Sequence, residues 1–214
     1  MAPTAEYRAE LIRAAFWLEW LTIGWMIVEA VIALVSGVTA RSMSLIAFGL
    51  DSLIELASAC VLIWRLNVEL RHGRSMGEMA ERTASRIGGA LLFALAAYIM
   101  AAAGWRLWTR EGAEFSWPGL LVSLAAIPIM WLLSRWKLSI AEALGSRALR
   151  ADAVESITCG WLSLVVLIGL LAQLALGARW VDSVTSLVIV GLLIREGREA
   201  WTENDQTGGG REEL

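Results

Sequence analysis

Two fourteen-residue stretches carry the side chains best suited to chemistry. Ser42 to Glu55 reads SMSLIAFGLDSLIE, and Ser146 to Cys159 reads SRALRADAVESITC. The second repeats the first: Ser42 aligns with Ser146, Leu45 with Leu149, Ala47 with Ala151 and Ser52 with Ser156. Each copy ends on two ligand-type side chains four residues apart, Asp51 with Glu55 and Glu155 with Cys159. On a helix, residues i and i+4 stack on one face, so each copy is a two-pronged grip. Two such grips can enclose one cation in four-coordinate, roughly tetrahedral geometry. Zinc prefers that arrangement and accepts both carboxylate oxygen and cysteine sulfur. A thiolate among the ligands tilts the set toward zinc or cadmium and away from magnesium.

The elements that must position these grips are apolar helices. The chain has 214 residues, 57% of them apolar and only 18% charged, against the ~45–50% apolar content usual for soluble domains. Apolar runs of span length recur throughout, which predicts an all-α, multi-pass membrane protein with six transmembrane helices. They are expected over about 12–35, 42–64, 87–108, 118–134, 148–175 and 180–200. Turns are expected near Gly37 and Gly177, Arg65 to Arg86 reads as a polar stretch that extends helices into water, Ser134 to Arg147 reads as a polar connector, and 201–214 reads as a short disordered tail after a single membrane domain. Pro118 suits a first helical turn, and Pro128 is a candidate kink. The first apolar run is too long for a cleaved signal and reads as a retained span. The net charge of -3 argues against a nucleic-acid partner. Cys60 and Cys159 both fall in apolar spans, and nothing suggests a disulfide framework; for Cys60 the expectation is core packing.

Charge sets the expected orientation. With both termini cytoplasmic, the inner segments hold 14 of the Lys and Arg residues, and the outer segments hold 4: Arg41, Arg106, Arg110 and Arg179. Tryptophans at the span edges read as interfacial belts. The two grips then run in opposite directions, and helices 1–3 and 4–6 form an inverted repeat, a common plan with its site at the repeat interface. Asp51 and Glu155 each lie nine residues after their leading serine. That is about 13–14 Å of helix, halfway through a ~30 Å hydrocarbon core from either side.

Ionised carboxylates at that depth cost roughly 2.5–3.5 kcal/mol each, so Asp51, Glu55 and Glu155 together cost about 8–10 kcal/mol if unpaired. The basic residues sit at the expected span ends, which leaves protons or a metal cation to balance the charge.

These phrases resemble the second and fifth transmembrane segments of the cation diffusion facilitator family of divalent-metal transporters. The run WVDSVTSLVIVG from Trp180 resembles the start of its sixth. In that family each grip supplies an Asp or His and, four residues on, an Asp; here the letters are Asp51 and Glu55, then Glu155 and Cys159. The family's cytosolic C-terminal domain has no counterpart in the 13 residues after Trp201, nor has the histidine-rich loop of some members, since His72 is the lone histidine. The resemblance implies efflux of Zn²⁺, with Cd²⁺ or another divalent transition metal as alternatives, exchanged for protons. It also implies a homodimer in the plasma (inner) membrane.

Each residue also has a plainer reading. Asp51 and Glu55 could be hydrogen-bonded or protonated carboxyls, Glu155 a partner of Arg147 or Arg150, and Cys159 a small hydrophobe. Asp152 and Ser156 share the polar side of the Cys159 helix and could replace it as ligands. Asp152 also reads as a carboxylate near the way in or an arginine partner. Glu29, deep in the first span, is a candidate for the path or a proton relay. Asp182 reads as the cap of its own helix, and His72 as solvated. A non-transporting metal sensor or accessory subunit of the same fold is the alternative function. An enzyme is not expected, because zinc catalysis needs an open coordination position, and no nucleophile–base pair or phosphate loop is evident.

Overall fold

A computed structural model describes residues 5–72 and 78–206, with side chains outside 5–9, 65–86, 147–148 and 200–206. Six helices follow in order: α1 (Ala5–Thr39), α2 (Met43–His72), α3 (Glu78–Thr109), α4 (Trp117–Leu144), α5 (Arg147–Leu176) and α6 (Val181–Gln206). There is no strand among the described residues. The chain is an all-helical, multi-pass integral membrane protein. Among the described residues, five helices are long and apolar enough to cross a bilayer, α1 to α5. The sixth expected span has no such window, because Asp182 and Arg195 leave only residues 183–194 free of charge.

The helices are amphipathic in the inverse sense to those of a soluble protein. On α1 the apolar Val28, Val31, Val35 and Val38 are exposed, whereas Glu19, Thr22, Glu29 and Ser36 are buried. The exposed set steps by three or four residues and the buried set by three or seven, so they mark opposite faces of one helix. α5 repeats the plan, with Asp152, Ser156, Cys159, Ser163 and Gln173 all buried. The interior is nevertheless apolar in bulk: Met26, Phe48, Ile99, Met130, Leu162 and Ile189, one from each helix, pack in a single core. Of the tryptophans expected at span edges, Trp64, Trp105, Trp108, Trp117, Trp131, Trp136 and Trp180 are exposed.

The connections α1–α2, α3–α4 and α5–α6 meet at one end. Glu114 N donates to Ala40 O at 2.7 Å, and Ala113 N donates to Arg179 O at 3.4 Å. Consecutive helices therefore alternate in direction, so α2 and α5 run antiparallel while α1 and α5 run parallel. The principal packed pairs are α1 with α2, α4 with α5, and α3 with α6, followed by α1 with α4, α5 with α6, α2 with α3, α2 with α5 and α2 with α6. Exchanging helices 1–3 for 4–6 turns α1–α2 into α4–α5 and α2–α3 into α5–α6, and leaves α3–α6, α1–α4 and α2–α5 as they are.

The repeated serines act alike. Ser42 Oγ accepts from Leu45 N at 3.2 Å, and Ser146 Oγ accepts from Leu149 N at 3.4 Å, so each caps its helix. Several boundaries differ from expectation. The first turn lies at Ala40 to Ser42, with Arg41 at φ 52, not at Gly37. Gly37 is helical, and a Cβ there would meet Ile46 N of α2 at 2.8 Å, so its role is close helix approach. Ser134 to Leu144 is not a connector but the last turns of α4, which runs through Pro128 and ends on Gly145 at φ 64. α6 continues to Gln206, into the stretch expected as a tail, and 207–214 lie outside the described residues. His72 lies among side chains outside the described ones. Cys60 is exposed on α2 rather than packed in the core.

Candidate metal centre

The two grips face one another across the α2–α5 contact. One ligand atom each from Asp51, Glu55 and Cys159 lies within 4.8 Å of the others, and all three residues are buried. Ligands of a tetrahedral zinc with ~2.0–2.3 Å bonds lie roughly 3.3–3.8 Å apart, so a small inward movement of side chains suffices. Asp51 has no exposed surface, and neither of its carboxylate oxygens has a hydrogen-bond partner. Glu55 Oε1 is likewise buried and unpartnered. Native proteins rarely leave such acceptors unmatched, because each carries a desolvation penalty.

Glu155 stands outside this three-residue group and is half-buried, with Ser58 of α2 as a neighbour. Arg150, one candidate partner, is exposed.

Glu29 of α1 is drawn into the same cluster. It accepts from Trp25 Nε1 at 2.6 Å, Ser52 Oγ at 2.7 Å and Cys159 Sγ at 3.4 Å. Three donors fix this carboxylate, in contrast to bare Asp51. Ser52 also donates to Phe48 O at 2.9 Å, and Ser156 donates to Asp152 O at 3.1 Å, another match between the copies.

Three buried charges emerge that the sequence reading did not place here. Lys137 of α4 is fully buried, although basic residues were expected only at span ends; its Nζ pairs with Glu19 Oε2 at 3.2 Å and with Asp152 Oδ2. Asp152 therefore faces a lysine, not an arginine. Glu196 of α6 is buried with Oε2 unpartnered. Its neighbours Arg195 and Glu199 form their own exposed pair at 2.8 Å, so the run REGRE reads as solvated although Glu196 is buried. Asp182 does not cap its own helix. It accepts from Ser42 Oγ (2.6 Å), Met43 N (2.8 Å) and Ser44 Oγ (2.5 Å), so it caps α2.

The sequence is also similar to known proteins. The cation efflux transmembrane domain matches residues 20–204. An uncharacterized transporter of Synechocystis sp. is 29% identical over 154 residues, covering 68% of this chain and 48% of the relative. Transmembrane protein 163 of Xenopus laevis is 25% identical over 183 residues, covering 85% of this chain and 64% of the relative. The chain thus spans about half to two thirds of the length of these curated relatives. With a family match that takes in both grips, the helices between them and most of α6, the chain belongs to the cation diffusion facilitator, or cation efflux, family of transporters.

Proposed function

We propose that this chain moves a divalent metal cation, Zn²⁺ foremost, out of the cytoplasm by alternating access, exchanging it for protons. Asp51, Glu55 and Cys159 bind the ion, and Glu155 completes the set when α2 and α5 close on it. The observation that carries this reading is Asp51: fully buried, with two unpartnered oxygens, beside a second carboxylate and a thiol at ligand spacing. The nearest buried ammonium cannot serve as counter-charge, because Lys137 is already held by Glu19 and Asp152.

The thiol favours Zn²⁺ or Cd²⁺ over Mg²⁺. Proton exchange follows from charge. Three carboxylates and a thiolate exceed the charge of one divalent ion by two, so the ion's departure draws protons onto its ligands. Ion and protons thereby alternate at one site. The antiparallel α2 and α5 support access from either side in turn.

The test is Zn²⁺ flux into proteoliposomes with a pH gradient, for the unaltered chain and for Asp51→Asn. Flux is expected only from the former, accompanied by proton movement in the opposite sense. Equal flux from both overturns the reading, and metal binding without flux replaces it with a sensor.

A further inference from the structure

Lys137 is an unusual occupant of a helix interior. It has no exposed surface, and its Nζ bridges Glu19 of α1 and Asp152 of α5 while lying 3.5 Å from Ser156 Oγ. The other oxygen of Glu19, Oε1, is buried and has no partner. A buried ion pair is a weak source of stability, since desolvation offsets most of the attraction and apolar side chains of equal volume often serve as well. Ionisable groups kept inside a membrane domain more often mark an ion path.

The position fits a path. α1 carries Glu19 and then Glu29 ten residues later; α5 carries Asp152 and then Cys159 seven residues later. At 1.5 Å per residue these steps are about 15 Å and 10 Å in the same direction. Glu19 and Asp152 share Lys137, while Glu29 and Cys159 touch directly at 3.4 Å. Side chains of α1 and α5 therefore meet at two acidic stations, and Ser156 lies between Asp152 and Cys159 on α5. Two carboxylates match the charge of one divalent cation. With the ammonium in place the net charge is a single negative, and a divalent ion cannot join without leaving excess positive charge in a low-dielectric interior.

We propose that Glu19 and Asp152 form a second divalent-cation station, and that Lys137 is its tethered occupant, displaced by an arriving ion and returning when the ion moves on. The inference rests on the transport reading above. Such a competitor keeps the station weak enough to release its ion, as conduction through successive sites requires. With oxygen ligands only, the station discriminates less among metals than the thiol-bearing centre does, and it accepts Mn²⁺ as well as Zn²⁺.

The test is the number of Zn²⁺ or Mn²⁺ ions bound per purified full-length chain, by equilibrium dialysis and elemental analysis. Lys137→Met is expected to bind about one more ion than the unaltered chain, and Lys137→Met with Asp152→Asn is expected to lose that gain. An unchanged count in a folded Lys137→Met protein overturns the proposal. Asp51→Asn should subtract one ion from either background. If the unaltered chain binds none while Lys137→Met binds one, the centre at Asp51 fails and the second station stands. Should Lys137→Met not fold, Lys137→Arg decides. Its planar, bidentate guanidinium holds both carboxylates more firmly, so turnover falls several-fold with KM little changed, and unaltered turnover overturns the proposal.

Discussion

Cys159 of α5 donates its thiol hydrogen to Glu29 Oε1 of α1 at 3.4 Å, and Ser52 of α2 donates to the same oxygen at 2.7 Å. One carboxylate oxygen thus ties three helices together at the metal centre. Glu29 holds Ser52, the neighbour of Asp51, and Cys159, a ligand candidate, in fixed relation. Replacing it by Gln keeps the shape but exchanges an anionic acceptor for a neutral amide. Partners of this kind are typically worth 10–100-fold in metal affinity. Glu29→Gln is therefore expected to weaken Zn²⁺ binding by about 10–100-fold with little change in thermal stability. Zinc titration and a melting curve on the same preparation check this. Unchanged affinity would remove Glu29 from the centre.

The thiol itself sets the choice of metal. Cys159→Asp restores a carboxylate of similar reach and replaces soft sulfur by hard oxygen. The variant is expected to lose preference for Cd²⁺ over Mn²⁺ while still binding a divalent ion. Competition between the two metals, read as bound ratio, measures the shift. A Cd²⁺ preference that survives the change means that Cys159 does not ligate.

The helical class and the repeated capped motif were legible because both are local. The serine caps at Ser42 and Ser146 and the four-residue spacing of the grips depend on neighbours within one helix. What escaped notice depends on distant partners. Lys137 sits in SRWKLSIAEAL, whose polarity reads as a connector; its partner Glu19 is 118 residues away. Asp182 lies at the start of α6, where a cap for that helix is the natural reading, yet its partners lie about 140 residues earlier. Glu196 is embedded in the charge run REGRE, which looks solvated until burial separates one face from the other. Periodicity gives a helix its faces but not the neighbour against which each face packs.

Asp182 makes a prediction about stability at the opposite end from Lys137. Its carboxylate receives the Ser42 and Ser44 hydroxyls and the Met43 amide, all buried. Asp182→Ala strands these donors at once, whereas Ser146→Ala removes one cap from α5. Loss of a single cap costs ~1 kcal/mol, and each stranded buried donor costs roughly 1–3 kcal/mol. Thermal unfolding in detergent is expected to show a clearly larger drop for Asp182→Ala than for Ser146→Ala. Equal drops would mean that Asp182 is not the cap of α2.

Close helix packing two residues before Asp51 supplies the last prediction. A Cβ on Gly49 would lie 2.7 Å from Leu34 Cγ and 3.0 Å from Leu34 N, a backbone atom of α1 that cannot turn aside. Gly49→Ala must therefore push α2 away from α1, and Asp51 and Ser52 move with it. The bond from Ser52 to Glu29, at 2.7 Å, has little slack to absorb that shift. Gly104 on α3 is the control, since a Cβ there meets nothing within 4 Å. Alanine favours a helix over glycine by ~1 kcal/mol, so Gly104→Ala is expected to leave zinc affinity unchanged and stability equal or slightly higher. Gly49→Ala should lower both melting temperature and zinc affinity. If Gly49→Ala behaves like Gly104→Ala, then the spacing of α1 and α2 does not govern the geometry of the metal centre.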